Sequence, residues 1–160
     1  MKSINALKEL VDATNQENVL ISDIVLAQQA NELEKTKQEL ICEMEQILSV
    51  MEESVQKGMR QDLISNSRLV GGGAFKLKAA NETGRLLDCG LLNTAMAYAT
   101  AVAEYNACMG KIVASPTAGS SGILPGVLLS IAEHYRIDRE KLIMSLFTAS
   151  GVGMVIAKRA

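Results

Sequence analysis

Apolar residues recur at steps of three and four along the first third of the chain, a spacing that predicts amphipathic helices. Residues 3–14 form a short pattern of this kind, with Ile4, Leu7, Leu10 and Val11 on one face. A longer pattern begins at Ser22 and Asp23, which can cap a helix and place an acid in its first turn, and it ends at Gly58. Its apolar positions are Leu33, Leu40, Met44, Ile47, Met51 and Val55. The sequence therefore predicts one long helix from Ser22 to Gly58 that spans the molecule or meets a partner.

The segment from residue 60 to residue 90 changes character, because polar residues are followed by three consecutive glycines. Residues 65–74 are polar and then glycine-rich, which predicts a loop. Gly71, Gly72 and Gly73 permit positive φ or a close approach of the backbone to a ligand. A flexible turn explains them equally well, so both interpretations stay open. Their spacing differs from that of a dinucleotide fingerprint and of a phosphate-binding P-loop.

The second half of the chain predicts a buried helical core. An alanine-rich pattern from Leu91 to Met109 has few large side chains, so neighbouring helices can approach it and it should be central. Further helices are predicted from Ile123 to Tyr135 and after Asp138. We expect an all-α fold in which residues 1–160 are the first part of a single helical domain, cut after Ala160.

Composition supports helices and argues against several function classes. Hydrophobic residues make up 48% of the chain and aromatic residues 3%, which favours close-packed helices over sheets. A net charge of -2 without a basic cluster argues against nucleic-acid binding. The longest apolar run, Ser145 to Ala157, has about 13 residues, fewer than the roughly 20 that cross a membrane. Since no secretory signal is found, we expect a cytoplasmic protein whose three cysteines are reduced and buried.

The segment from Ser115 to Gly126 carries the candidate chemistry. It combines three glycines, two prolines, three serines and a threonine in twelve residues. Gly119 and Gly122 permit tight turns whose successive N–H groups can form an anion-binding nest. Ser120 and Ser121 stand where hydroxyls cap a following helix, whose N-terminus carries partial positive charge. The pattern predicts a cradle for a carboxylate or phosphate, and a capped loop without a ligand is the alternative.

Other candidate residues are weaker. His134 is the only histidine, and we expect it at the surface near a helix end. Cys42, Cys89 and Cys108 are too widely spaced to predict a metal site. With one histidine and no distinctive pair of carboxylates, the sequence predicts neither a Ser-His-Asp set nor an acid–base pair.

Several segments resemble one enzyme family. They are Asn18–Asp23, Ser49–Glu52, Gly71–Gly72 and Met109–Gly122, and the last contains the most specific motif, Pro-Thr-Ala-Gly-Ser. Over its whole length the chain is similar to the first half of the alpha, or catalytic, subunit of bacterial two-subunit iron–sulfur-dependent L-serine dehydratases.

The resemblance implies an all-helical catalytic domain that converts L-serine to pyruvate and ammonia. It implies a beta subunit as partner, and a 4Fe-4S cluster in the full-length protein that acts as a Lewis acid on the substrate hydroxyl. The loop would then bind the substrate carboxylate through Ser115, Thr117, Ala118, Gly119, Ser120 and Ser121. Gly71, Gly72 and Gly73 form a candidate second loop.

The chain departs from the family pattern in two respects. The family's cluster cysteines lie in later segments that this chain does not contain, and Cys42, Cys89 and Cys108 match no ligand position. We therefore expect no cluster on this chain and no activity from it alone. The family usually has aspartate at the position of Gly73, so a carboxylate near the expected site is missing.

Two other functions remain open. A related lyase acting on cysteine would share the loop, whereas a non-catalytic helical interaction module would use it only as a helix cap. The edge from Leu146 to Ala160 is expected to expose apolar surface, so we also expect the chain to self-associate.

Overall fold

The protein is helical throughout the residues that the structure describes. In the computed structural model these are residues 6–115, 117 and 119–158. They form seven α-helices and no β-strand, which confirms the all-α prediction. The helices are α1 (Leu7–Glu17), α2 (Ile21–Glu32), α3 (Lys37–Gly58), α4 (Gly73–Glu82), α5 (Leu91–Ala107), α6 (Ile123–Tyr135) and α7 (Arg139–Ala157). Two compact units divide them: residues up to Gln46 with residues from Asp138 onward, and Ile47–Ile137.

The prediction of one long helix from Ser22 to Gly58 is wrong, because the segment forms the separate helices α2 and α3. Glu34, between them, has a left-handed φ of 54° that interrupts the helical path. Thr36 and Glu39 then start α3 with a capping box: Thr36 Oγ1 accepts the Glu39 N–H at 3.2 Å, and Glu39 Oε2 accepts the Thr36 N–H at 2.8 Å. The hydrogen bonds that the Thr36 N–H and then the Thr36 hydroxyl donate to the Glu39 carboxylate hold the pKa of Glu39 below its ordinary value.

Helix α1 covers much of the helix predicted over residues 3–14. Leu10 is buried, whereas Leu7 and Val11 of the predicted apolar face are close to half exposed. Asn18 ends the helix as a left-handed C-cap residue with a φ of 53°. The apolar face is therefore narrower than the sequence spacing indicates.

In the first unit, α2 packs against α7. The helices are close at Gly151, where an added Cβ would lie 2.3 Å from Val25 Cγ2. Across the same pair, Gln29 Nε2 donates a hydrogen bond to Ser150 Oγ at 3.2 Å. The buried apolar residues of this unit are Leu10, Ile24, Val25, Leu26, Leu40, Leu142, Ile143, Leu146, Phe147 and Val155.

Helix α7 corrects in part the expectation that the edge from Leu146 to Ala160 exposes apolar surface, and residues 159 and 160 lie outside the described residues. Leu146, Phe147 and Val155 are buried, because this face of the helix contributes to the core, while Ile156 is 58% exposed. Self-association, which was predicted from that surface, stays a prediction.

Helix α7 is longer than Ser145 to Ala157, the longest apolar run in the sequence. It extends from Arg139 to Ala157, preceded by Asp138 as N-cap residue, although the Asp138 side chain makes no capping hydrogen bond. An 18-residue window reaches a mean hydropathy of 1.4, so by length and composition alone this helix could cross a membrane. One such helix is weak evidence, because a core helix of a soluble protein has the same composition. That the chain does not bind membranes stays a prediction.

In the second unit, α5 is the central helix, as the sequence predicts, and α4 and α6 both pack against it. Ala97, Ala101 and Val102 of α5 are buried. Gly58, at the end of α3, also lies against this helix, since an added Cβ would be 2.0 Å from the Ala101 carbonyl oxygen. Small residues thus let neighbouring helices reach the backbone of α5.

Candidate functional site

The segment from Ser115 to Gly126 lies within the second unit and comprises the end of the α5–α6 connection and the first turn of α6. The predicted substrate-binding residues described there are Ser115, Thr117, Gly119, Ser120 and Ser121. Ala118, the remaining member of the predicted set, lies outside the described residues, as does Pro116. One short loop therefore brings the described members of the set together.

Solvent exposure differs among these residues. Thr117 and Gly119 are exposed, and Ser115 and Ser120 are half-buried. Ser121 is completely buried, with 0% of its surface exposed. A ligand in solution can reach the first four residues but not the fifth.

The hydroxyl groups of the loop bind the loop's own backbone. Ser121 Oγ donates to the Thr117 carbonyl oxygen at 2.5 Å and accepts the Ser115 N–H at 3.2 Å. Ser120 Oγ donates to the Ser115 carbonyl oxygen at 3.0 Å and lies 3.0 Å from Thr117 Oγ1. Such local side-chain hydrogen bonds stabilise one loop conformation in place of regular structure.

The prediction that Ser120 and Ser121 cap α6 is wrong. The N-cap residue is Gly122, and no side chain makes a capping hydrogen bond there. The reason is that both serine hydroxyls are used within the loop. Gly122 has a φ of −78°, so it does not supply the left-handed residue of the predicted nest. The start of α6 keeps its partial positive charge without a side-chain cap.

Gly122 and Gly126 bring the start of α6 directly onto the backbone of α5. A Cβ added at Gly122 would lie 2.3 Å from the Ala99 carbonyl oxygen, and one at Gly126 would lie 2.8 Å from the Ala95 carbonyl oxygen. Sequence reasoning missed this contact, although both pairs of small residues have the same four-residue spacing. The loop is therefore anchored on the central helix where it enters α6.

Close packing explains Gly71 and Gly73 of the candidate second loop, and backbone conformation explains Gly72. Gly71 has a φ of 149°, and a Cβ there would lie 2.1 Å from the Leu63 carbonyl oxygen. Gly72, the N-cap residue of α4, has a left-handed φ of 72°. A Cβ at Gly73 would lie 2.6 Å from Glu104 Oε1. The role of this loop in substrate binding stays a prediction.

Glu104 is a buried carboxylate that sequence reasoning missed. The residue is only 8% exposed. Its carboxylate oxygens accept the Gly73 N–H at 2.8 Å and the Ala74 N–H at 3.1 Å. In the described part of the chain no lysine, arginine or histidine pairs with it, so the N-terminus of α4 stabilises its charge. A carboxylate thus lies beside residue 73 although that residue is glycine. The sequence feature that could have indicated this contact is that Glu104 is the single charged residue of α5.

A second polar contact joins α5 to α6. The Tyr98 hydroxyl donates a hydrogen bond to Glu133 Oε2. Burial, followed by this hydrogen bond and the carboxylate charge, raises the pKa of Tyr98 to about 12. The pair therefore contributes to α5–α6 packing while the tyrosine is protonated.

The described residues do not fit a metal or cluster site. Among them, no three His, Cys, Asp or Glu side chains are grouped as metal ligands would be. Cys42 and Cys89 are exposed and Cys108 is half-buried, which corrects the prediction of buried thiols. His134 is exposed, as predicted. An iron–sulfur cluster is held by several neighbouring cysteines, and these separate free thiols do not offer that arrangement.

Comparison with known proteins identifies the family. The profile of the family described as "Serine dehydratase alpha chain" matches residues 16–160. This range includes the two candidate loops, which precede α4 and α6. The chain belongs to the serine dehydratase alpha chain family. No solved structure matches this alpha-chain sequence.

Two relatives show the extent of the similarity. The "Probable L-serine dehydratase, alpha chain" of Bacillus subtilis is 43% identical over 154 residues, which are 96% of this chain and 51% of that protein. The "L-serine dehydratase, alpha chain" of Peptoniphilus asaccharolyticus is 34% identical over 157 residues, 98% of this chain and 54% of that protein. The chain therefore spans about half the length of these curated relatives.

Proposed function

We propose that this serine dehydratase alpha chain is part of an enzyme that converts L-serine to pyruvate and ammonia. Loss of the α-proton and the hydroxyl releases water and gives an enamine, and hydrolysis of its imine form consumes one water and releases ammonia. The activity is proposed for the full-length cytoplasmic protein with its beta subunit, and not for this chain alone. The observation that carries the proposal is the family match over residues 16–160, which includes the hydroxyl-rich loop before α6.

In this proposal the loop binds the carboxylate of L-serine. Thr117 and Gly119 are exposed, and Ser115 and Ser120 are half-buried, so all four can meet a ligand. The adjacent start of α6 has no side-chain cap, and the partial charge of a helix N-terminus favours an anion. Ala118 stays in the proposed set on the basis of the sequence.

The helix N-termini that follow the two candidate loops, those of α4 and α6, differ in a way that supports this assignment. The carboxylate of Glu104 already occupies the N-terminus of α4 through the Gly73 and Ala74 N–H groups. The N-terminus of α6 has no such side chain. The loop before α6 is therefore the better candidate for a substrate carboxylate, and Gly71–Gly73 the weaker one.

The iron–sulfur cluster is a proposal for the full-length protein. The described residues offer no set of neighbouring thiolates to hold it, and no step of the reaction is assigned to it. The roles proposed for the loop residues are binding and orienting serine, which bring the substrate to one geometry before any bond changes.

A partner subunit is also part of the proposal. The names of the relatives as alpha chains imply a multi-subunit enzyme. In the second unit Leu92 and Ile123 are 56% and 64% exposed, and apolar side chains of this kind are available for contact with a beta subunit or another copy of the chain.

A turnover assay on the full-length protein tests the proposed reaction. The full-length alpha chain is produced with its beta subunit without oxygen, and pyruvate is measured from L-serine while sulfide is measured from L-cysteine. We expect pyruvate from serine. Absence of pyruvate from serine overturns the proposal, and sulfide release from cysteine alone would favour the related cysteine lyase.

A matched pair of threonine variants tests the role of the loop. Thr117→Ala removes an exposed loop hydroxyl, whereas Thr100→Ala removes one that only donates to the Met96 carbonyl oxygen of its own helix at 2.8 Å. Loss of a hydrogen bond to a charged substrate group should lower kcat/KM by roughly tenfold or more for Thr117→Ala and leave Thr100→Ala unchanged. Equal turnover in both variants would favour a non-catalytic interaction module.

A further inference from the structure

Ser121 differs from the other hydroxyl residues of the loop in having no contact with solvent. Its Oγ accepts the Ser115 N–H at 3.2 Å and donates to the Thr117 carbonyl oxygen at 2.5 Å. One buried hydroxyl therefore joins Ser115 to Thr117. A ligand cannot reach this group without first opening the loop.

Ser120, the preceding residue, has the opposite character. It is half-buried, and its Oγ lies beside the exposed Thr117 hydroxyl at 3.0 Å. A carboxylate arriving from solvent would meet the hydroxyls of Ser120 and Thr117 and not that of Ser121. Two adjacent serines of the same motif thus have separate roles in the geometry of the loop.

Ser121 is tied to a fixed support. The next residue, Gly122, lies so close to α5 that an added Cβ would be 2.3 Å from the Ala99 carbonyl oxygen. The hydrogen bonds of Ser121 therefore connect Ser115 and Thr117 to a closely packed point of the α5–α6 contact. A close backbone contact of this kind leaves little freedom for the residues that it holds.

We propose that Ser121 is a positioning residue that holds Ser115 and Thr117 in the geometry that binds the substrate carboxylate, without touching the substrate. This inference rests on the proposed function, because the loop must be the carboxylate site for Ser121 to act through it. A residue that fixes the position of a binding residue can change affinity strongly, because its loss lets the binding residue shift by a small distance.

Matched serine variants of the full-length protein with its beta subunit test the inference. Ser121→Ala removes the buried loop hydroxyl. Ser130→Ala is the control, because Ser130 is also buried at 1% exposure but donates only to the Val127 carbonyl oxygen of its own helix at 3.0 Å. The measurements are KM and kcat for L-serine, the inhibition constant of pyruvate as a simple carboxylate, and the thermal unfolding midpoint.

We expect Ser121→Ala to raise KM for L-serine and the inhibition constant of pyruvate together, each by about tenfold, with kcat within about threefold, because binding common to ground and transition states is lost. Ser130→Ala should lower the unfolding midpoint at unchanged KM. If Ser121→Ala matches Ser130→Ala in KM and in pyruvate inhibition, the inference is wrong although the proposed function stands. If the wild-type protein makes no pyruvate from serine, the proposed function fails first.

A second variant covers the case in which Ser121→Ala does not fold. Ser121→Cys keeps a side chain of similar shape but makes only weak hydrogen bonds through sulfur. We expect its KM to rise severalfold, with pyruvate inhibition weakened in parallel. A wild-type KM in a folded Ser121→Cys protein would overturn the positioning role.

Discussion

The side chain of Glu104 occupies the space that a side chain at residue 73 would need. Its Oε1 accepts the Gly73 N–H at 2.8 Å, and a Cβ added at Gly73 would lie 2.6 Å from the same oxygen. Glycine at residue 73 and glutamate at residue 104 are therefore coupled, since a side chain at the first position displaces the second.

A double-mutant cycle should reveal this coupling. In the wild-type protein, Gly73→Ala forces the Glu104 carboxylate away from the N–H groups of α4, which offsets a helix-propensity gain of about 1 kcal/mol. In a Glu104→Ala background the same substitution meets no carboxylate and should stabilise the protein. We expect a coupling energy of about 1–2 kcal/mol from urea unfolding of the four proteins. Additive free energies of unfolding would contradict the coupling.

Alanine substitutions at two glycines should change stability in opposite directions. Gly122→Ala brings a Cβ to 2.3 Å from the Ala99 carbonyl oxygen, so the backbone of α5 or α6 must move, and we expect a loss of about 1–3 kcal/mol. Gly153 is exposed on α7, and no described atom lies within 4 Å of an added Cβ. Gly153→Ala should stabilise the protein by about 0.5–1 kcal/mol. Thermal and urea unfolding measure both, and a neutral Gly122→Ala would show that the contact can relax.

The Tyr98–Glu133 contact should weaken at alkaline pH. Its raised pKa, about 12 against an ordinary value of 10.0, means that the contribution to stability is present below about pH 10 and is lost as pH rises to about 12. Tyr98→Phe should therefore destabilise the protein at neutral pH and have a smaller effect above pH 10. The same variant should remove the tyrosinate absorbance step near pH 12, and persistence of that step would assign it to another tyrosine.

The three thiols should react at two different rates. Cys42 and Cys89 are exposed and Cys108 is half-buried. A thiol reagent under native conditions should modify two groups quickly and one slowly, and all three quickly in denaturant. Single Cys→Ser variants assign each phase, and a fast phase that disappears with Cys108→Ser would contradict the described exposure.

The sequence predicts α5 and α6 of the second unit well because their signals are local, whereas α4 (Gly73–Glu82) was not predicted. The alanine-rich pattern gives α5, and the apolar run after the loop gives α6 with the bounds Ile123–Tyr135. The break before α3 was also locally encoded, since Thr36 and Glu39 have capping-box spacing. It was missed because the apolar spacing continues across it.

The internal geometry of the candidate site could not be predicted because it depends on contacts between distant residues. Glu104 reaches Gly73 from 31 positions away, and no spacing rule relates them. Sequence also cannot distinguish a serine hydroxyl that meets a ligand from one that holds its own loop, because both need the same residue type in the same turn. Ser120 and Ser121 are adjacent, and only their different burial separates them.

The exposed thiols have a practical consequence for following assembly of the enzyme. Cys42 belongs to the unit that contains α7, and Cys89 belongs to the unit that contains the loop. In residues 1–160 with Cys108→Ser, one spectroscopic label on each of Cys42 and Cys89 would give a single distance between the units. Recording that distance before and after addition of the proposed beta subunit tests whether the partner changes the separation of the two labels.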